Sequence, residues 1–219
     1  MITKYGYGTV SAITVVVFIL IVIAIFTNNS ILKYSLLVLG TGFLLFTLYF
    51  FRDPDRTPPA KQNVVVAPAD GKVIILQKTF EDKFLKEEAW QLSIFMSPLN
   101  VHVNRIPISG KIEYLNYHKG DYLVAFHEKA DKRNERNEIG ITSKYGKILF
   151  TQVAGFVARR IVSTVSEGDS VRMGDRFGMI KFGSRSDVFV PASWNVMVKN
   201  GDNVTAGETI LFEYPNEGN

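Results

Sequence analysis

Two uncharged apolar stretches near the N-terminus constrain this chain more than anything else in its sequence. Val10 to Phe26 and Tyr34 to Phe51 carry no charge, and Lys4 and Lys33 are the only charged residues in positions 1–51. At about 1.5 Å per helical residue each run reaches roughly 25–27 Å, close to the hydrocarbon thickness of a bilayer. Thr27-Asn-Asn-Ser30 between them is a short polar turn, so 10–26 and 34–51 are expected to form a transmembrane helical hairpin. A cleaved signal peptide fits poorly: one Lys precedes the first run, no Ala-x-Ala-type site follows it, and a second run starts at once. A hairpin returns both of its ends to one side, and Arg52, Arg56 and Lys61 follow the second span. The positive-inside rule then puts the remainder of the chain on the cytoplasmic face of the cell membrane.

The rest of the sequence reads differently. Residues 52–62, opening on Arg52-Asp-Pro-Asp-Arg-Thr-Pro-Pro59, form a proline-punctuated connector, and 63–219 is long enough for one well-cored domain. Short β-branched or aromatic segments follow one another at Asn63–Ala67, Lys72–Gln77, Gln91–Met96, Lys111–Leu115, Tyr122–Phe126, Ile139–Ser143, Lys147–Val153 and Val157–Val165, separated by Gly, Pro, Asn or Asp. Phe80–Trp90 is the one segment expected to be helical. A net charge of +4 with no Lys/Arg stripe interleaved with aromatics argues against nucleic acid, and suits anionic lipid head groups. The absence of cysteine agrees with a reducing compartment, and three scattered histidines make a poor metal site, so no metal is expected.

One internal repeat stands out. Glu167-Gly-Asp-Ser-Val-Arg-Met-Gly174 recurs as Asn200-Gly-Asp-Asn-Val-Thr-Ala-Gly207, with Gly, Asp, Val and Gly coinciding at an offset of 33. Each copy reads as a turn, a buried valine, a second glycine turn and an exiting strand. The pair is similar to the half-motifs of biotinyl and lipoyl carriers, which implies a mostly β domain built as a flattened barrel or sandwich. In those carriers the modified residue lies on an exposed hairpin, sixteen positions after the first Gly of the half-motif. That count ends here on Ser184. Gly183-Ser184 is chemically suggestive as well as a common turn dipeptide. A glycine carbonyl has no Cβ to shield it, and the next hydroxyl can attack that carbonyl and convert amide to ester. Elimination would then cut the chain and leave a dehydroalanine at residue 184, which water hydrolyses, with release of ammonia, to a pyruvoyl group, an electrophilic ketone.

Seven runs, in order, carry a closer resemblance. They are Phe50-Phe-Arg-Asp-Pro-Asp-Arg56, Ala67-Pro-Ala-Asp-Gly71, Phe95-Met-Ser-Pro-Leu-Asn-Val-His-Val-Asn-Arg-Ile-Pro107, Asn134-Glu-Arg-Asn137, Gln152-Val-Ala-Gly155, Ala158-Arg-Arg-Ile-Val162 and Arg176–Asp187. Together they resemble the phosphatidylserine decarboxylase proenzyme family in its short, membrane-anchored form. The resemblance implies self-cleavage at Gly183-Ser184 into a β chain of residues 1–183 and an α chain of 184–219 that stay associated. Its cofactor is the pyruvoyl group derived from Ser184, which binds the amine of a phospholipid substrate as a Schiff base and accepts the electron pair left by CO₂. The resemblance leaves a homo-oligomer open.

Three further assignments follow from it. His102 matches the family's site histidine, able to take the Ser184 proton in cleavage or return one in turnover; an arbitrary His would be read as a structural strand residue. Asp70, in Pro68-Ala-Asp-Gly71, matches the cleavage-triad acid that orients or charge-balances the histidine; the alternative is an ordinary turn aspartate. Arg105, Arg159 and Arg160 are candidates for the lipid phosphate, or else a solvated face. Many relatives carry a second His where this chain has Arg105. His118 and His127 read as surface residues. The competing reading is a membrane-anchored carrier or adaptor without catalysis; a carrier needs Lys at the hairpin tip, where Ser184 stands. A serine hydrolase is disfavoured by the lack of a Gly-x-Ser-x-Gly elbow.

Overall fold

The computed structural model describes residues 1–120, 134–155, 160–181 and 184–215, and the side chain of Arg160 lies outside that description. It separates into two units, Met1–Pro54 and Asp55–Asn219. The first holds helix α1 (Tyr7–Phe26) and helix α2 (Ser30–Phe50), antiparallel and long and apolar enough to cross a membrane. Both start a turn or so before the uncharged runs do. The Asn29 side chain accepts from Leu32 N at 3.1 Å and caps α2, which ties the helix start to the polar turn. Gly40 lets α2 approach Val17 and Leu20 of α1. At the open end Thr3 N donates to Phe51 O and Asp53 N to Met1 O, so both ends of the hairpin emerge together, as the hairpin reading required.

Fourteen strands are described in the second unit: β1 (Val64–Val66), β2 (Gly71–Glu81), β3 (Glu87–Met96), β4 (Val103–Arg105), β5 (Gly110–His118), β6 (Arg136–Ser143), β7 (Gly146–Ala154), β8 (Arg160–Ser163), β9 (Ser170–Val171), β10 (Arg176–Lys181), β11 (Ser184–Pro191), β12 (Asn195–Val196), β13 (Asn203–Val204) and β14 (Ile210–Glu213). The mostly β expectation therefore holds. The segment expected to be helical, Phe80–Trp90, is instead the β2–β3 hairpin. Its turn is held by the Glu81 carboxylate, which accepts from the backbone N–H of Lys83, Phe84 and Leu85. Lys86 then takes a left-handed φ of 60° and sends the chain back. The expected Tyr122–Phe126 strand and His127 lie outside the described residues.

The strands fall into an eight-stranded sheet of order β13-β2-β3-β11-β7-β6-β5-β9 and two three-stranded sheets, β1-β14-β12 and β4-β10-β8. Read from the β11/β7 seam outward, the large sheet is a palindrome, and the small sheets match strand for strand. The unit is thus a nested duplication: β4 to β10 form one half, inserted between β3 and β11 of the other. Hydrogen bonds repeat with it. Gly168 N donates to Ile112 O and Gly201 N to Val73 O; Gly174 N donates to Ile106 O and Gly207 N to Ala67 O. All four glycines have φ between +76° and +96°, which explains why the sequence repeat keeps glycine there. The halves also grip reciprocally, Val66 N to Pro107 O and Arg105 N to Pro68 O, both at 2.9 Å. Residues from all three sheets, among them Leu92, Ile94, Phe150, Phe177, Val188 and Phe212, close one apolar core. Residues 55–58 belong to this unit: Arg56 pairs with Asp70 and Glu208, and Pro58 fills the space a Cβ on Gly174 would need.

Candidate active site

The chain passes between the halves twice, from β3 to β4 and from β10 to β11, and of the sequence-predicted site residues His102 ends the first passage and Ser184 the second. Ser184 is the first residue of β11, paired with Met96 of β3 on one side and Ala154 of β7 on the other. It is fully buried, and its Oγ donates to the Met96 Sδ at 3.1 Å. The exposed hairpin expected for it is therefore not found. β11 must slot between β3 and β7 from its first residue, which draws Ser184 into the sheet. Gly183 lies outside the described residues.

The other passage is the Ser97–Val101 turn, closed by Asn100 N to Ser97 O and Ser97 N to Asn100 Oδ1 at 2.9 and 2.8 Å. This turn delivers His102, which is fully buried, with Nδ1 2.9 Å from Asn100 O. A carbonyl oxygen only accepts, so Nδ1 carries the proton and, in the neutral ring, Nε2 holds the basic lone pair. The His102 carbonyl in turn accepts from Ile180 N, four residues before Ser184.

Around these two lies a set of buried polar side chains that the motifs contained but sequence reasoning did not single out. Gln152 Nε2 donates to Asn104 Oδ1 at 2.9 Å, and Asn137 Nδ2 donates to Gln152 Oε1 at 3.2 Å. Asn134 Nδ2 donates to the carbonyl of Ala154, the partner of Ser184, while Ala154 N donates to Glu135 O. The Glu135 carboxylate accepts from Tyr117 Oη at 2.8 Å and Ile161 N. Asn134-Glu-Arg-Asn137 thus fastens the strand end opposite Ser184. The signal that could have found these groups is the presence of four amide side chains in otherwise β-forming motifs.

Asp70 is placed at a turn. Its Oδ1 accepts from Ala206 N at 2.8 Å and its Oδ2 pairs with Arg56 at 3.0 Å. In the other half Ser109 Oγ accepts from Met173 N at 2.9 Å in the equivalent bond. Arg105 is buried, with Nη1 donating to Gly174 O at 2.9 Å. Arg159 lies outside the described residues, and Arg160 opens β8.

The opposite face of the large sheet carries charges. Arg185 and Asp187 form a buried ion pair at 2.9 Å. Nearby, burial alone would raise the Glu138 carboxyl, but hydrogen bonding and charge from Lys83, with Arg136 and His118 adding to it, outweigh that and hold it below the usual carboxylate range. His118, read as a surface residue, is partly exposed and contacts Glu138 at 3.3 Å. Burial raises the Tyr114 hydroxyl on the same patch. Among the described residues no group of three or more His, Cys, Asp or Glu could hold a metal ion.

Residues 43–212 match the family model described as phosphatidylserine decarboxylase. The chain is 46% identical over 214 residues to a phosphatidylserine decarboxylase proenzyme of Chlorobium limicola, covering 98% of this chain and 100% of that one. It is 47% identical over 215 residues to that of Chlorobium chlorochromatii, covering 98% and 100%. It is also 51% identical over 183 residues to that of Salinibacter ruber, covering 82% and 81%.

Proposed function

The chain belongs to the phosphatidylserine decarboxylase family, and from that membership we propose that it is a carboxy-lyase converting phosphatidylserine to phosphatidylethanolamine after cutting itself between Gly183 and Ser184. The family match sets aside the carrier or adaptor alternative. The observation that carries the finer reading is the placement of Ser184: a fully buried hydroxyl at the passage between halves, with the His102 segment hydrogen-bonded just ahead of it. The carbon skeleton of the cofactor is already present there, since a pyruvoyl group derives from the serine itself, with its keto oxygen taken from water.

In the cleavage step Ser184 Oγ adds to the Gly183 carbonyl carbon and gives up its proton. The C–N bond breaks as the nitrogen is protonated, leaving an ester. Loss of the Ser184 α-proton expels the Gly183 carboxylate from Cβ. The resulting dehydroalanine takes up water and releases ammonia, giving the pyruvoyl end. That group supplies an electrophilic carbonyl that binds the substrate amine and takes up the electron pair left by CO₂. His102 Nε2 is the acceptor for the Ser184 proton and later the proton source for the substrate carbon, its Nδ1–H held by Asn100 O. Asp70 acts as the acid of the cleavage machinery by charge, from a turn whose Pro68 carbonyl receives Arg105 N. Arg105, Arg159 and Arg160 are the cations assigned to the lipid phosphate. The helical hairpin holds the domain at the cytoplasmic face of the membrane, where that lipid is confined.

A denaturing gel with intact-mass measurement tests this. The mature protein should give a chain of residues 1–183 and a chain of 184–219 lacking the serine amine. Ser184→Ala should give one uncut chain without decarboxylase activity. If the Ser184→Ala variant still decarboxylates phosphatidylserine, the pyruvoyl reading is refuted.

A further inference from the structure

Among the described residues the Ser184 hydroxyl donates to a thioether, an unusual choice for a nucleophile. Ser184 Oγ donates to Met96 Sδ at 3.1 Å, and both residues are fully buried on adjacent strands. Met96 is itself approached by Asn104 Nδ2 at 3.9 Å, a group that also donates to Pro68 O at 3.4 Å. Asn104 turns that nitrogen toward Met96 because its Oδ1 is taken by Gln152 Nε2, and Gln152 Oε1 is taken by Asn137 Nδ2. Each amide fixes the sense of the next, so Asn137, Gln152 and Asn104 form a directed chain that ends on the Met96 sulfur. At Gly178 a Cβ would meet Val162 O of β8 at 2.1 Å and would also stand 3.0 Å from Gln152 Nε2.

We propose that Met96 is a positioning residue for self-cleavage, holding the Ser184 hydroxyl in its attacking rotamer, and that the Asn137–Gln152–Asn104 chain holds Met96. The proposal rests on the cleavage reading given above. A thioether suits the task because it accepts weakly. It fixes where the hydroxyl proton lies, and so where the Oγ lone pairs point, without competing with the base that must remove that proton. In the step itself the Oγ–C bond forms at the Gly183 carbonyl, the proton leaves the sulfur for the base, and the peptide nitrogen departs protonated. Met96 is unchanged. An amide or carboxylate there would retain the proton more tightly.

The role is confined to the precursor, because the hydroxyl no longer exists once residue 184 is a pyruvoyl group. The experiment uses the full chain in detergent micelles. Met96→Leu should slow conversion to the two fragments roughly threefold to tenfold, the size expected for one neutral hydrogen bond. Its fully cut product should keep the wild-type kcat on phosphatidylserine. Norleucine incorporation, which replaces every methionine sulfur by CH₂ without changing shape, should slow cutting to the same degree. Thermal melting of Met96→Leu in the uncuttable Ser184→Ala background checks that the fold is retained. Cutting at the wild-type rate in the norleucine chain overturns the proposal, whether or not Leu folds. Equal losses in cutting and in kcat also overturn it, because they mean that Met96 only packs. Either result leaves the cleavage reading standing, since that is decided by Ser184→Ala alone.

Discussion

Asp70 and Ser109 occupy equivalent turns in the two halves, which allows one substitution to separate a structural role from a chemical one. Both side chains accept a backbone N–H from a glycine turn, Ala206 N for Asp70 and Met173 N for Ser109. Only Asp70 adds a charge, paired with an Arg56 whose other guanidinium nitrogen contacts Glu208. Asp70→Ser gives the turn the acceptor its twin uses. It loses the Arg56 pair, which is partly buried and still has Glu208, at a cost of about 1 kcal/mol. Asp70→Ala additionally strands the Ala206 N–H and should cost about 1–2 kcal/mol more. In the Ser184→Ala background, where cutting cannot intervene, the two variants should differ by roughly 2–8 °C in melting temperature, at about 2–4 °C per kcal/mol for a domain of this size. Time courses of fragment appearance then read the chemistry. If the carboxylate belongs to the cleavage machinery, Asp70→Ser folds nearly as well as wild type but cuts at least tenfold more slowly. Cutting at the wild-type rate by the Ser variant would refute that role and leave Asp70 as a turn tie.

The remaining expectations concern electrostatics, the cofactor and the anchor. The folded-state pKa of Glu138 is depressed, so its stabilisation is complete above the unfolded carboxylate pKa of about 4.3 and fades as pH falls through the lower folded value. Glu138→Gln should therefore lose about 2–3 kcal/mol at pH 7, and its melting temperature should fall less than that of wild type between pH 5 and pH 3; parallel pH profiles would show that the cluster contributes nothing. Hydroxylamine, or borohydride added with substrate, should inactivate the mature enzyme and mark the 184–219 chain by mass, whereas a chelator should leave activity unchanged; loss with a chelator and recovery with zinc would contradict the reading. Deleting residues 1–51 should leave self-cleavage intact and depress turnover on bilayer lipid far more than on a short-chain soluble analogue, because the anchor raises effective concentration at the membrane. Equal losses on both substrates would mean that the hairpin supports the site instead.

The helical pair, the β character of the domain and the glycine repeat were legible because each rests on local chemistry: uncharged runs, β-branched segments, and positions that need positive φ. The helix expected at 80–90 failed because its turn depends on one carboxylate, Glu81, collecting three backbone donors, which no periodicity reports. The duplication was only half visible. Its second portion, Pro68-x-x-Gly71-Lys and Pro107-x-x-Gly110-Lys at an offset of 39, keeps its glycines because a Cβ would meet Phe95 O at 2.2 Å and Thr142 O at 2.5 Å. These contacts are made by strands distant in sequence. For the same reason Ser184 read as a hairpin tip: counting along the chain cannot show that the next strand is inserted between two others. Met96, Asn104 and Gln152 were present in the quoted motifs, but their side-chain partnership exists only after β3, β4 and β7 have met.

Under the proposed self-cleavage, the position of β11 would make the order of folding and cutting irreversible. A cut before Ser184 would leave β11 of the shorter chain in the middle of the large sheet, laddered to β3 over all eight of its residues and to β7 over six of them, with β14 at the centre of a small sheet. Intact, the chain can unfold and refold as one molecule. Once cut, an unfolded copy becomes two polypeptides that must find each other, and the shorter has no core of its own. Cutting would therefore have to follow folding. A cut molecule that melted would then not readily recover, and its working lifetime would be set by how slowly it unfolds.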